Sequence, residues 1–166
     1  MILIRKATTE DAETVQQLAE KIWWPTYGPI LTETQIRYML DNIYDLNSIR
    51  TQIANGVQTY LLLYEDEIPT GFASYSLRQE NKDVYKLHKL YCLVETKGKG
   101  YGKLLLKEVE RKVLDAGKTI LELNVNKYNP AKRFYEHMGY AVIYEEDIPI
   151  GDYWMNDYVM RKELQK

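Results

Sequence analysis

The chain has one cysteine, two histidines and three serines in 166 residues. A lone thiol, Cys92, excludes an internal disulfide and any thiolate metal cluster. The two histidines, His88 and His137, stand apart in sequence and do not make a metal site, so no bound metal is expected. None of Ser48, Ser74 and Ser76 lies in a Gly-x-Ser-x-Gly turn, which argues against a serine hydrolase. The phosphate-binding pattern Gly-x-x-x-x-Gly-Lys-(Ser/Thr) is also missing. No apolar run approaches the roughly 20 residues that a membrane span needs. The net charge of −2, from 22 basic and 24 acidic residues, lacks the basic excess of a general nucleic-acid binder. The N-terminal stretch Met1-Ile2-Leu3-Ile4-Arg5-Lys6 is too short and too soon charged for a signal peptide. A cytoplasmic protein with no membrane or nucleic-acid partner is expected.

What remains is an ordinary globular composition, 45% apolar and 28% charged, enriched in aromatics by 15 tyrosines and 3 tryptophans. A chain of this length is expected to form a single domain, residues 1–166. The periodicity predicts a strand at Ile2–Arg5. A helix follows, capped by Thr8 or Thr9, with Ala12, Val15, Leu18, Ala19 and Ile22 on one face. Pro25, Gly28 and Pro29 should break it. Further helices are predicted from Thr32 (Ile36, Met39, Leu40, Ile43) and over Leu46 to Ala54. The period then shortens. Strands are predicted at Gln58–Tyr64, at Ile68–Leu77, where Pro69 implies an edge or a bulge, and at Val84–Val94. A helix over Leu104–Ala116, a strand at Ile120–Val125 and a helix over Pro130–Met138 follow. Two last strands, Tyr140–Tyr144 and Tyr153–Met160, should be joined by an acidic loop.

The stretch Thr96-Lys97-Gly98-Lys99-Gly100-Tyr101-Gly102-Lys103 links the strand ending near Val94 to the helix that follows. A strand, a glycine-rich turn and a helix in this order expose backbone N–H groups where the helix has no internal acceptors. The positive end of the helix dipole points to the same place. Such a junction accepts a phosphate or pyrophosphate, and the glycines allow close approach and positive φ. A second motif lies further on: Asn129-Pro130-Ala131-Lys132-Arg133-Phe134-Tyr135-Glu136-His137-Met138-Gly139-Tyr140.

These two motifs, in this order, resemble those of the GCN5-related N-acetyltransferase (GNAT) superfamily. Lys97-Gly98-Lys99-Gly100-Tyr101-Gly102 is similar to its (Gln/Arg)-x-x-Gly-x-(Gly/Ala) pyrophosphate loop, with Lys97 in the place of Gln or Arg. The later segment is similar to its Asn…Ala…(Leu/Phe)-Tyr-Glu-Lys-x-Gly-Phe ending. The likeness extends over nearly the whole chain. It implies an α/β (α+β) fold, with a mixed central sheet of six to seven strands flanked by about four helices. It also implies an acetyl-CoA-dependent N-acetyltransferase that moves the acetyl group directly to a primary amine, of a small molecule or peptide, in a ternary complex. Family members are often homodimers.

Carried over residue by residue, the resemblance assigns coenzyme A pyrophosphate to the N–H groups of Gly98 to Lys103, with Lys97 at the head of the loop. It gives Leu90, Tyr91, Cys92 and Leu93 to the pantetheine arm and the thioester carbonyl, where an N–H would stabilise developing negative charge. Cys92 itself reads as a small core residue. Tyr135 would protonate the leaving thiolate. The family's cofactor-contacting Asn falls on Tyr128 here, which leaves Asn126 or Asn129 for that role. Its usual Glu on the strand before the loop falls on Lys86, and His88, two residues on, is the candidate base. Trp23, Trp24 and Tyr27 are candidates for the acceptor site, as walls for an apolar or cationic group, or as plain core. Glu145-Glu146-Asp147, Asp152 and Asp157 read as a solvated acidic face or as an attractor of a polyamine-type acceptor. A different acyl-CoA, or a non-catalytic acyl-CoA-binding module, are the alternatives.

Overall fold

The computed structural model describes residues 1–165. Seven strands form one sheet: β1 (Ile2–Lys6), β2 (Thr59–Glu65), β3 (Ile68–Leu77), β4 (Val84–Cys92), β5 (Ile120–Asn126), β6 (Ala141–Ile150) and β7 (Tyr153–Glu163). The order across the sheet is β1-β2-β3-β4-β5-β7-β6. Every pair is antiparallel except β4 with β5, which are joined by the crossover helix α4 (Tyr101–Asp115). Parallel neighbours need such a crossover, whereas the antiparallel pairs β2–β3 and β6–β7 are joined by short turns.

Each face of the sheet carries its own core. On one face α4 lays Leu105, Leu106, Val109 and Val113, all fully buried, against Leu61, Leu63, Leu87 and Leu121. The short helix α5 (Ala131–His137) adds Tyr135 to this side. On the other face α1 (Ala12–Tyr27), α2 (Glu33–Ile43) and α3 (Leu46–Ala54) bury Val15, Ile22, Trp23, Ile36, Met39 and Ile49 over Tyr60, Leu62 and Phe72. Thr32 and Asp45 cap α2 and α3 by accepting the N–H of Gln35 and Ser48.

Several boundaries differ from the sequence reading, and α4 starts at Tyr101, inside the glycine stretch, not at Leu104. Pro25 lies inside α1 and does not end it. The donor it lacks falls on the exposed side, while Trp23 and Tyr27 anchor the last turn in the core and Gly28 N–H still reaches Trp24 O at 2.9 Å. β4 stops at Cys92, and Val94–Thr96 forms a 3-10 turn before the glycine loop. The acidic segment Glu145-Glu146-Asp147 is not a loop but part of β6, paired with β7. β6 is an edge strand exposed on both faces over this segment, so its charges stay hydrated and discourage pairing with another chain. Pro69 does sit at a bulge, opposite Tyr64.

Two irregularities position the site. Ser74 pairs with Lys89 and Tyr75 with Leu87, so His88 is an extra, bulged residue in β4. The ladder between β4 and β5 ends at Leu87 and Leu123, although both strands continue. Beyond that point the edges of β4 and β5 part, which leaves a gap in the middle of the sheet.

Candidate active site

A cleft of about 830 Å³ opens at the C-terminal end of β4. Its floor and walls come from the glycine loop, from Cys92, Leu93 and Val94, from the end of α1, and from Asn129, Pro130, Ala131 and Phe134 at the start of α5. Gly98 and Gly100 have φ of +89° and +81°, which L side chains adopt only with strain. The loop therefore folds back on itself and turns most of its N–H groups outward. The Lys99 N–H, expected to join them, instead bonds back to Thr96 O at 3.1 Å, and Lys99 does not line the cleft. The amides of Gly98, Gly100, Tyr101, Gly102 and Lys103 donate to no acceptor among the described residues. They sit at the positive end of a 15-residue helix with no acidic residue in its first turn. Lys99 is held by Glu65 at 3.1 Å, and Tyr101 Oη also donates to Glu65. Lys97 and Lys103 have no ion-pair partner among the described residues. The donor set matches a pyrophosphate.

The gap between β4 and β5 continues from this cleft. Tyr27, Leu87, His88, Leu90, Tyr91, Asn129 and Tyr135 line it. Asn129 and Ala131 belong to both cleft and gap. Tyr135 is 7% exposed and packs edge-on against Phe134 and Tyr140. Burial raises the pKa of its phenol, so it stays protonated at neutral pH, and its hydroxyl has no hydrogen-bond partner among the described residues. Tyr27 Oη and Tyr91 Oη are 2.9 Å apart beside it.

On the far side of the gap is a second cavity of about 240 Å³. Trp23, Tyr27, Tyr44 and Tyr91 form its aromatic wall, and Ile148, Ile150 and Met155 of the β6–β7 hairpin cover it. Trp23 Nε1 donates to Tyr44 Oη at 3.2 Å, which fixes both rings. His88, Lys89, Asn124, Asn126 and Asp157 supply its polar groups. The bulge accounts for two of these, because it turns consecutive residues, His88 and Lys89, to the same face. Lys89 is 7% exposed, donates to Gln58 Oε1 at 3.0 Å and lies over the rings of Tyr44 and Tyr60. Burial without a carboxylate partner lowers its pKa to about 8.

The candidate residues thus separate. Leu93, Lys97 to Gly98, Gly100 to Lys103 and Asn129 line the cleft. Leu90 and Tyr91 line the gap. Asn129 Oδ1 caps α5 through Ala131 N–H at 2.9 Å, while Asn126 is turned away, with Oδ1 on Tyr128 N–H and Nδ2 on Met155 Sδ. Burial pushes the Cys92 thiol up to about 12, which leaves it inert as a nucleophile. His88 stays accessible to water, with Nε2 at 2.7 Å from Ser76 Oγ. Its close-packed surroundings and the Lys89 and Lys86 cations hold its pKa below the usual histidine range. The tryptophan pair splits. Trp23 faces the second cavity, whereas Trp24 lies outside it under the Arg37 guanidinium. Nothing in the sequence marks Lys89, because a one-residue bulge leaves no trace in the strand pattern. Nor does it mark Tyr44 and Gln58, which reach the cavity from the end of α2 and the approach to β2 only once the sheet is assembled.

A crossover between the parallel strands β4 and β5, a gap opening beneath it and a free-amide loop above define an acyl-CoA-dependent transferase. The chain belongs to the GNAT acetyltransferase family, whose domain profile, "Acetyltransferase (GNAT) domain", matches residues 28–164. It is an N-acetyltransferase that uses acetyl-CoA. It is 27% identical, over 99% of its length and 98% of the relative's, to the spermidine N(1)-acetyltransferase of Thermoplasma acidophilum. Its structure is similar to the crystal structure of the PaiA N-acetyltransferase from Thermoplasma acidophilum in complex with coenzyme A, with a TM-score of 0.84, 27% identity and coverage of 98% of this chain and 99% of that one. A GCN5-related N-acetyltransferase structure from Rhodopseudomonas palustris shares the fold at a TM-score of 0.83 and 20% identity, over 98% and 95% of the two chains.

Proposed function

We propose that the protein acetylates a small cationic primary amine, which enters the aromatic cavity and meets the cofactor at the β4–β5 gap. The observation that carries this reading is that the gap below Leu87 and Leu123 borders both cavities, sharing Asn129 and Ala131 with the cofactor cleft and Tyr27, His88 and Tyr91 with the aromatic cavity. When bound, acetyl-CoA supplies an activated acetyl thioester. The amides of Gly98 and Gly100 to Lys103 hold the pyrophosphate, with Lys97 and Lys103 adding charge, and Asn129 faces the pantetheine arm. The unpaired edge of β4 from His88 to Cys92 offers N–H groups to the charge that develops on the carbonyl oxygen. The Tyr135 hydroxyl gives its proton to the departing sulfur. Trp23 and Tyr27 shape the acceptor side, and His88 stands at its rim.

A polyamine-type acceptor is the narrower form of this reading. It is favoured by the aromatic wall, by the acidic groups on β6 and β7, and by the full-length relative named as a spermidine N(1)-acetyltransferase. The test is thiol release from acetyl-CoA across a panel of spermidine, diamines, simple alkylamines and amino acids. Turnover with the cationic amines supports the reading. Cofactor binding without turnover of any amine would favour a non-catalytic acyl-CoA-binding module.

A further inference from the structure

Asp157 of β7 is 5% exposed, yet its Oδ1, fully closed off from solvent, has no hydrogen-bond partner among the described residues. Its Oδ2 accepts only a long bond, 3.3 Å, from Asn124 Nδ2. A buried carboxylate left half-satisfied costs free energy, and this one lines the acceptor cavity. We propose that Asp157 receives the acceptor amine: Oδ1 pairs with the incoming ammonium and takes its proton. Resting on the function proposed above, this assigns to β7 the proton acceptor that β4 lacks where Lys86 stands.

The step is a proton transfer. The ammonium N–H bond breaks, an O–H bond forms at Oδ1, and the electron pair stays on nitrogen, which becomes nucleophilic. The neutral acid then loses the proton to water. An alkylammonium, with a pKa of about 10, needs such a step at pH 7. The surroundings suit it. Burial raises the carboxyl pKa, and Glu146 and Asp147 of β6 add to that rise, while the Asn124 bond from β5 and the Lys86 cation of β4 oppose it. Tyr27 of α1 also faces this carboxyl, which helps to keep its phenol protonated. His88 and Lys89 complete the polar wall, and His88 is the weaker base because its pKa is held down.

Asp157→Asn keeps the shape and removes the charge. Two amines separate a proton role from a structural one: an alkylamine that is an ammonium at pH 7, and trifluoroethylamine, which is already neutral there. Asp157→Asn should lower kcat/KM for the alkylamine by about 10²-fold or more and for the neutral amine by less than about 5-fold. His88→Ala should reduce both alike and modestly. Equal losses for both amines in Asp157→Asn, or the selective loss in His88→Ala alone, would overturn the assignment. Alkylammonium affinity, measured by calorimetry without acetyl-CoA, should fall about tenfold or more in Asp157→Asn. In the wild type it should weaken as the pH drops through the carboxyl titration. Unchanged affinity in both measurements overturns the assignment even if no amine is turned over, an outcome that by itself would refute only the proposed function.

Discussion

Replacing Tyr135 with phenylalanine removes one oxygen from the middle of the β4–β5 gap. The structure sets both sides of the expected effect. The ring is 7% exposed and keeps its contacts with Phe134 and Tyr140, so its packing survives. The hydroxyl donates to nothing among the described residues, so no internal hydrogen bond is lost there, and stability should change by less than about 0.5 kcal/mol. Catalysis should respond differently. A positioned proton donor contributes about 10²–10⁴-fold, or roughly 3–5 kcal/mol of barrier. Thiol release with a saturating amine should show that loss in kcat. The KM for acetyl-CoA should change by less than about threefold, because a group that acts on the developing charge adds little to ground-state binding. The phenol's raised pKa implies that no basic limb from Tyr135 enters the wild-type profile near neutrality. A Tyr135→Phe enzyme with unchanged kcat would refute the assignment. An equal fall in kcat and in melting temperature would point to packing instead.

Other expectations test the cradle and the frame. Gly100→Ala places an L residue at φ +81° at the head of α4, costing about 1–2 kcal/mol. It should weaken acetyl-CoA binding in calorimetry with little change in kcat at saturation. Lys97→Gln should change acetyl-CoA affinity by less than about tenfold, or 1.4 kcal/mol, because backbone amides make up most of the donor set. A larger change would shift that emphasis to the side chain. Asp11 is hydrogen-bonded by Arg5, which lowers its pKa from 3.8 to about 2. The folded value is the lower one, so the stabilisation is complete above about pH 4. It is then lost as the pH falls toward 2. Asp11→Asn should flatten the melting temperature over that window, and a variant that parallels the wild type there would disprove the link.

Much of this was legible in one dimension because it rests on local chemistry. The continuous apolar run Tyr60 to Tyr64 in β2, helical spacing in α4 and the glycines at 98, 100 and 102 each act over a few neighbours. So do caps such as Thr32 and Asp45, which bond only three residues away. Pro25 misled for the opposite reason. A proline's local preference is to end a helix, but buried Trp23 and Tyr27 hold the last turn of α1 in the core. Glu145 to Asp147 likewise read as a loop, because their strand character comes from pairing with β7 and not from their own propensity.

The glycine loop, the Tyr135 motif and the family they define follow from the sequence by itself, because phosphate binding there needs only a helix start and backbone amides in order. The acceptor side needed the folded chain. Trp23 of α1, Tyr44 at the end of α2, Lys89 of β4 and Asp157 of β7 become neighbours only when the sheet is assembled. Two further features depend on assembly: the His88 bulge that turns Lys89 inward, and the early end of the β4–β5 ladder. Both are matters of register between distant strands, a long-range quantity that no single stretch of residues encodes.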